Sequence, residues 1–358
     1  MTALPDLVVS RTEHPKPRPR PEELGFGRYF TDHMFSWEYT AGRGWHDPQI
    51  LPYGPIQLDP AAGVLHYGQA MFEGMKAFRG VDGRVRLFRL RDHCLRMQRG
   101  APRLCMPPVD AEGLAAAVRT LVALDADWVP AGPFSALYVR PVLVATEPYL
   151  GVRPAERYRL LVILSPVTAY YGDPLQPVRI WVETEDTRAP RGGLGAVKAA
   201  ANYVASLRSA QRARQHGCAQ VLWLDGAEHR FVEEVGTMNL FVLLGEELVT
   251  PPLSDSILGG VTRQCVLRLA RDLGLQVSER PLALDELREA HRSRRLTEVF
   301  GTGTAAVITP VGELAVGGER LVIGQGEPGR LTRWLFEEIT GIQRGLRRDR
   351  YGWLTDVA

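Results

Sequence analysis

Two patterns of apolar residues, one typical of strands and one typical of helices, follow each other along the first half of the sequence. Segments rich in branched and aromatic residues, which predict strands, lie at 30–39, 85–90, 135–146 and 158–167. Apolar positions that recur every three to four residues, which predict amphipathic helices, occupy 91–104 and 111–128. This half is therefore predicted to combine strands with at least two helices.

The second half repeats this mixture. Strands are predicted at 178–184 and 219–225, and strand–turn–strand units at 231–244 and 297–311. A helix is predicted over 198–217, closing on Gly217, and another over 259–274, after a glycine pair. The pattern predicts an α/β fold with mixed sheets.

Two segments show neither the strand pattern nor the helix pattern of apolar residues, and they indicate domain boundaries. Residues 11–23 are rich in proline and charge and predict an extended arm. The sequence "YYGDPLQP" at 170–177 interrupts both helix and strand. With 358 residues, two domains are expected. The predicted organisation is an arm at 1–24, a smaller α/β domain at 25–172, a linker at 173–178 and a larger domain at 179–358.

Composition excludes several classes of protein. Apolar residues make up 45% and charged residues 23%, and the net charge of +2 gives no electrostatic reason to expect nucleic acid or an anionic membrane as a partner. No apolar run is long enough to span a bilayer. The four cysteines are scattered without a C-x-x-C pair, so neither disulfides nor a metal site is expected. A reducing, cytoplasmic location is predicted.

Lysine is rare in this chain, and one lysine stands among small residues. Only Lys16, Lys76 and Lys198 occur, and Lys198 lies within "GGLGAVKAAANY". A desolvated lysine can lose its proton and become a nucleophile, which arginine cannot do. Lys198 could instead extend into solvent from a helix start, while Lys16 is explained as a solvated charge on the arm. By composition alone, Lys76 is a rival nucleophile.

Three further features suggest a bound anionic cofactor. Glu233 and Glu234 are adjacent on a strand, so one of them should face the interior and need a cation. Glycine turns at 258–264 and 301–306 resemble phosphate-binding turns. Arginines on apolar stretches suit carboxylates or phosphates. Each has an ordinary alternative, namely a surface pair, a common turn and a core arginine, but together they match the requirements of pyridoxal 5'-phosphate.

Several motifs make the sequence similar to a known family. They are "FTDHMF", "LHYGQAMFEGMKAFRG", "LYVRP", "ATEPYLGV", "EEVGTMNLF" and "FGTGTAA". The sequence resembles the branched-chain amino acid aminotransferases from about residue 30 almost to the C-terminus. The resemblance implies the two-domain class IV, or D-amino-acid-aminotransferase-like, pyridoxal phosphate fold. One departure is that 305–309 reads "AAVIT", where some animal members carry a C-x-x-C redox switch.

The resemblance also implies roles for individual residues. It places the Schiff base with pyridoxal phosphate on Lys198 and the partner of the ring nitrogen on Glu234. The implied remaining cofactor contacts are Arg96, Tyr203, Val261, Thr262 and Thr304. The implied substrate contacts are Phe30, Tyr67, Tyr138, Arg140, Tyr170, Thr237, Thr304 and Ala305, with Tyr138 and Arg140 at the γ-carboxylate of glutamate.

The implied activity is transamination between leucine, isoleucine or valine and 2-oxoglutarate by a ping-pong mechanism, carried out by a homodimer. Two other functions are weighed against it. A D-amino-acid transaminase or an aminodeoxychorismate lyase shares the fold, but the length and "FEGMKAF" argue against both. A phosphate-binding module without catalysis would need Arg96 and the glycine turns but not Lys198.

Overall fold

The computed structural model describes residue 4 and residues 6–169 and 172–357. The chain divides into two compact units. Unit 1 comprises Met1–Tyr170, Val197–Ala201 and Gly341–Ala358, and unit 2 comprises Tyr171–Ala196 and Asn202–Thr340. The predicted division at 173–178 differs from these units in two segments, because Val197–Ala201 and Gly341–Ala358 group with unit 1.

Unit 1 is built on a mixed sheet. Its strands in chain order are β1 (Val8–Val9), β2 (His33–Thr40), β3 (Gly44–Pro52), β4 (Ala70–Phe72), β5 (Met75–Arg79), β6 (Val85–Phe88), β7 (Ala136–Ala145) and β8 (Arg157–Val167). Its helices are α1 (Gly63–Tyr67), α2 (Leu90–Gly100) and α3 (Ala111–Leu124). The patterns of apolar residues predicted α2, α3 and all of these strands except β1, β3, β4 and β5.

One face of this sheet forms the apolar core. Met75 and Ala77 of β5 and Leu137 and Val139 of β7 are fully buried in one cluster with side chains of α2 and α3, such as Met97. Because side chains alternate along a strand, the residues between them point to the opposite face. That opposite face carries Lys76, Tyr138 and Arg140.

The remaining strands and helices follow residue 172. The strands are β9 (Val178–Val182), β10 (Gln220–Leu224), β11 (Val232–Val235), β12 (Met238–Leu244), β13 (Glu247–Thr250), β14 (Gln276–Glu279), β15 (Leu296–Gly303), β16 (Val307–Val316), β17 (Glu319–Val322) and β18 (Leu354–Asp356). The helices are α4 (Ala200–Ala205), α5 (Leu207–Gln215), α6 (Val261–Asp272), α7 (Leu284–Arg292) and α8 (Arg330–Gln343).

Strand β18 explains why the C-terminal segment belongs to unit 1. It pairs antiparallel with β6, with Thr355 opposite Leu87. The sheet order is β1-β3-β2-β8-β7-β5-β6-β18, and β4 pairs with β7. The N-terminal arm is also attached, since β1 pairs parallel with β3. The two ends of the sequence thus supply the two outer strands of one sheet.

Unit 2 contains a ring of strands. The order β11-β10-β9-β16-β15-β12 is closed by pairing of β11 with β12. Strands β13, β14 and β17 extend this sheet outside the ring. The apolar interior includes Ile180, Leu222, Leu240 and Leu314, packed with side chains of α7 such as Leu287. Both units mix strands and helices, which confirms the predicted α/β class.

The helix predicted over 198–217 is interrupted. Lys198 lies in a turn, α4 begins at Ala200, and α5 begins after Ser206. The Ser206 hydroxyl donates to the Tyr203 carbonyl at 2.7 Å, and the Ser206 amide donates to the same carbonyl at 3.2 Å. Serine competes in this way with regular helix hydrogen bonds, which explains the break.

Two expectations from composition concern cysteines and membranes. Cys94, Cys105, Cys218 and Cys265 are all thiols outside any disulfide. Among the helices of the described residues, none has the length and apolarity to cross a bilayer.

Candidate functional site

Lys198 is fixed to the edge of the unit 1 sheet by its backbone. The Phe72 amide donates to the Lys198 carbonyl at 3.1 Å, and Ala199 bridges to Met71 of β4. The Lys198 ammonium lies 4.8 Å from the centre of the Phe72 ring. Small neighbours let the turn approach β4 closely, so the amine lies over an aromatic face and is not carried outward on a helix.

Cationic and hydroxyl side chains share the sheet face that carries Phe72. Lys76 lies opposite Tyr138 in the β5–β7 pairing, and Ser165 lies opposite Tyr138 in the β7–β8 pairing. Lys76 is buried, and burial lowers the pKa of its ammonium to about 8. Lys76 is therefore a stronger rival to Lys198 than its sequence position indicates.

Arg140 lies on the same face and also contacts Phe72. Its guanidinium carbon is 4.5 Å from the centre of the Phe72 ring, and its Nη2 donates to the Tyr138 hydroxyl at 3.1 Å. Within the described part of the chain, no carboxylate forms an ion pair with Arg140, and its buried Nε has no hydrogen-bond acceptor. A half-buried guanidinium in this state is suited to bind an anion.

Arg96 is held by a carboxylate that the sequence analysis did not identify. Glu73, only 1% exposed, accepts from Arg96 Nε at 2.6 Å and from Nη2 at 2.9 Å. Its Oε2 also accepts from the Gly74 amide at 3.0 Å and lies 3.1 Å from His93 Nδ1. Burial alone would raise the pKa of Glu73, but the charge of Arg96 and the His93 contact outweigh burial and lower that pKa. Glu73 is therefore ionised, and its carboxylate orients the guanidinium of Arg96.

The spacing of His93 and Arg96 could have revealed this cluster. Residues three apart share one face of a helix, so both point from α2 toward the loop between β4 and β5. That loop contains Glu73, within the quoted "FEGMKAF" motif.

Two predicted wall residues of unit 1 contact other side chains or loops, and a third is not described. Phe30 stacks on Tyr53 with ring centres 5.1 Å apart. Tyr67 is 48% exposed, and its hydroxyl donates to the Leu150 carbonyl. Tyr170 lies outside the described residues.

In unit 2, Glu234 is a buried and firmly held carboxylate. Its Oε1 accepts from the Leu258 amide at 2.9 Å and from the Asn239 side chain at 3.2 Å. Its Oε2 lies 3.1 Å from Nε of Arg188, which is also buried. An interior carboxylate was predicted to need a cation, and Arg188 is that cation for Glu234.

Glu233 differs from the expectation that only one of the pair faces the interior. It is 8% exposed and accepts from the Ser256 hydroxyl, and its Oε2 has no hydrogen-bond partner in the described structure. All four residues of β11 are buried, because the strand is covered on both faces. Burial raises the pKa of Glu233, and the Ser256 hydrogen bond and the charge of Arg188 oppose it only in part.

Glu233→Gln is expected to gain stability relative to the wild type as the pH rises above the usual glutamate range. The folded wild type holds the Glu233 proton more tightly than the unfolded chain does. Its stabilising contribution is therefore complete at low pH and lost as the pH rises through the raised pKa. Glutamine has no such proton. Thermal unfolding of both proteins from about pH 4 to about pH 8 measures the difference, and exposed Glu228→Gln serves as the control. If the difference in thermal stability between Glu233→Gln and the wild type does not increase with pH, this prediction is contradicted.

The predicted anion-binding turns of unit 2 meet at one end of its sheet. In the β12–β15 pairing Asn239 lies opposite Thr302, so the turn with Thr237 before β12 is next to the turn with Thr304 and Ala305 after β15. Thr237 is exposed, and Thr304 and Ala305 are half-buried. After the latter turn, Val307 has a φ of 63°, which is rare for a β-branched residue and indicates local backbone strain.

The start of α6 joins this group through a glycine. Val261 and Thr262 are the first residues of α6, and no side chain caps its amides at Gly260. A Cβ atom on Gly260 would lie 1.9 Å from Asn239 Oδ1. Glycine therefore lets the amino end of α6 approach the residue that donates to Glu234. Unprotected amides at a helix start favour a phosphate. Tyr203 lies half-buried on α4 in the same unit.

Comparisons with known proteins agree with these features. The family model for class IV amino-transferases matches residues 70–314. Branched-chain-amino-acid aminotransferase 2 of Bacillus subtilis is 50% identical over 352 residues, which are 98% of this chain and 97% of the relative. The branched-chain amino acid aminotransferase of Escherichia coli has a similar structure, with a TM-score of 0.73 and 28% identity over 91% of this chain and 99% of that chain. The Thermobaculum terrenum enzyme in its PLP-form gives a TM-score of 0.74 and 25% identity, over 90% and 98% of the two chains.

Proposed function

Because this chain belongs to the class IV aminotransferases, as a member of the branched-chain-amino-acid aminotransferase family, we propose that it works with pyridoxal 5'-phosphate bound covalently to Lys198. The chain is a transaminase that exchanges an amino group between leucine, isoleucine or valine and 2-oxoglutarate in a ping-pong reaction. The family and the activity expected from the sequence are confirmed.

The buried polar groups of the structure fit this cofactor. Glu234 is a fixed carboxylate, as a protonated ring nitrogen requires, and the glycine-started end of α6 offers amides to a phosphate. When bound, pyridoxal phosphate supplies an aldehyde that binds amines covalently and a ring that accepts electrons from the substrate Cα. The proposed contacts to it are Lys198, Arg96, Tyr203, Glu234, Val261, Thr262 and Thr304.

The side chains of the protein then divide the remaining work. The Lys198 amine takes the proton from the substrate Cα and later returns one, as general base and then general acid. Thr237, Thr304 and Ala305 are proposed to bind the α-carboxylate, and Tyr138 and Arg140 the γ-carboxylate of glutamate. Phe30, Tyr67 and Tyr170 are proposed as walls of the side-chain pocket.

The observation that carries the proposal is the pair of cations on Phe72. Lys198 and Arg140 lie 4.8 Å and 4.5 Å from the centre of the same ring. Borohydride reduction of the holoenzyme should attach the cofactor to the peptide that contains Lys198, as mass spectrometry would show. A panel of L- and D-amino acids with 2-oxoglutarate tests the substrate class. A colourless protein that takes up no pyridoxal phosphate would favour the binding module.

Arg96→Gln is expected to weaken the binding of pyridoxal phosphate roughly ten- to a hundredfold, since a hydrogen bond to a charged group contributes about 1.5–3 kcal/mol. Pyridoxal, which lacks the phosphate, should bind nearly as in the wild type. Absorbance titrations of the apoprotein measure both affinities. Arg91→Gln is the control, because Arg91 is an exposed arginine on the same helix. Equal losses for the two ligands would place Arg96 away from the phosphate.

The proposed assembly is a homodimer, and exposed apolar side chains of unit 1 support it. Leu65, Tyr67, Tyr149, Leu150 and Val152 are each at least 47% exposed. The bond from Tyr67 to the Leu150 carbonyl joins α1 to the 149–152 loop, so these side chains form one patch. Sedimentation equilibrium measures the assembly. The proposed location is cytoplasmic, which the four cysteines outside any disulfide support.

A further inference from the structure

Unit 2 contains a buried charge cluster of two carboxylates and an arginine. Glu233 and Glu234 are 8% and 3% exposed, and Arg188 is 9% exposed. The Arg188 Nε lies 3.1 Å from Glu234 Oε2. The mechanism given above uses Glu234 but assigns no part to Arg188.

Backbone carbonyls hold Arg188 in place. Its Nη2 donates to the Ser256 carbonyl and to the Gly195 carbonyl, the latter at 3.4 Å. Two residues after Ser256, the Leu258 amide donates to Glu234 Oε1. Arg188 therefore fixes both the carboxylate and the loop that donates to it.

The adjacent Glu233 shows what burial does to a carboxyl group without such a close cation. Burial raises its pKa, and no arginine or lysine of the described structure lies within ion-pair distance of it. A buried carboxyl group that binds a proton tightly would remove the proton from a ring nitrogen beside it. An opposite charge within about 4–6 Å changes the proton affinity of a carboxylate roughly ten- to a thousandfold.

We propose that Arg188 is a positioning residue that keeps Glu234 anionic, so that the proton between Glu234 and the ring nitrogen of the cofactor stays on the nitrogen. Without Arg188, this proton moves to a Glu234 oxygen, the ring becomes neutral, and its capacity to accept electrons falls. No other proton or electron is exchanged. The inference rests on the proposed binding of pyridoxal phosphate at Glu234.

The test compares Arg188→Gln, which keeps a donor for the Ser256 carbonyl but no charge, with Arg188→Lys, which keeps the charge. The holoenzymes are prepared with pyridoxal phosphate labelled with ¹⁵N in the ring. The wild type and the lysine variant should give the resonance of a protonated ring nitrogen, and the glutamine variant that of an unprotonated one. The kcat of the glutamine variant should fall roughly tenfold or more.

A second measurement uses a cofactor analogue with carbon in place of the ring nitrogen. Arg188→Gln should reduce the preference of the apoprotein for pyridoxal phosphate over this analogue roughly tenfold. A purely structural role would weaken the binding of both ligands equally. Arg212→Met is the matched control, because it breaks another ion pair with a buried carboxylate of unit 2, Glu183, and should leave the preference unchanged.

The outcomes separate the inference from the proposed function. If wild-type protein binds no pyridoxal phosphate, the proposed function fails. If it binds the cofactor with a protonated nitrogen and Arg188→Gln does the same, the role of Arg188 is overturned. If Arg188→Gln does not fold, Arg188→Met provides the comparison, since it removes the charge and the donors but keeps a long, unbranched side chain.

Discussion

Replacing Lys198 with alanine is expected to lower the rate of amino-group transfer by about 10⁴-fold or more, because one amine provides both the covalent attachment and the proton transfer at Cα. The fold should persist. Lys198 is anchored through its backbone carbonyl, which alanine retains, and the substitution removes the side-chain contact with Phe72. Stopped-flow absorbance with leucine measures the rate, and thermal unfolding checks the fold.

Lys76→Ala is the decisive comparison, because burial lowers the pKa of Lys76 to about 8 and makes it the rival nucleophile. In that variant, borohydride should still attach the cofactor to Lys198. Added methylamine should restore part of the proton transfer to Lys198→Ala, as a freely diffusing base would. If borohydride fixes the cofactor covalently to Lys198→Ala, the nucleophile is another residue.

Replacing Arg140 with methionine is expected to impair only the half-reaction of glutamate and 2-oxoglutarate. One pocket must accept an aliphatic side chain and, in the other half-reaction, a carboxylate. Removing one partner of a buried charged pair costs about 2–5 kcal/mol, which corresponds to a loss of roughly 30-fold to a few thousandfold. Leucine carries no second charge, so its half-reaction should stay within about tenfold of wild type. Single-turnover kinetics with each substrate separates the two.

The structure gives this test a matched control. Arg159 lies on neighbouring β8 and pairs with Glu38, whereas Arg140 has no carboxylate partner among the described side chains. Arg159→Met should leave the ratio of the two half-reactions unchanged. If Arg140→Met lowers both half-reactions together, along with thermal stability, Arg140 is a structural arginine and does not discriminate between substrates.

Local patterns predicted the strands and helices well because their signals are local. The strand predicted at 135–146 corresponds to β7 (Ala136–Ala145), and the helix predicted at 259–274 corresponds to α6 (Val261–Asp272). The helix over 198–217 failed because Ser206 bonds to the carbonyl of Tyr203, which the period of apolar residues does not show. Strand β18 was not predicted, because its pairing with β6 depends on residues far apart in sequence.

The charged clusters were only partly predictable. The alternation of side chains along a strand predicted that one of the two carboxylates faces the interior. However, β11 is covered on both faces, so Glu233 and Glu234 are both buried. Arg188 and Glu73 were missed because their partners lie far away in sequence, across a loop or on another element. The cofactor and substrate roles came from family motifs. For the geometry of these residues, the pattern of the chain predicted only that one of Glu233 and Glu234 would need a cation beside it.

The outer strands β1 and β18 also bear on the order in which the two units can fold. Pairing β18 with β6 closes a loop that contains all of unit 2, and contacts across such loops form late because chain entropy opposes them. Unit 2 consists almost entirely of one continuous segment, so it can fold while the sheet of unit 1 still has an open edge at β6. Removing β18 would leave the outer edge of β6 (Val85–Phe88) unpaired, one strand away from Lys76. Such an edge can pair with another chain, so a shortened protein would aggregate through the sheet that carries Lys76 and Arg140.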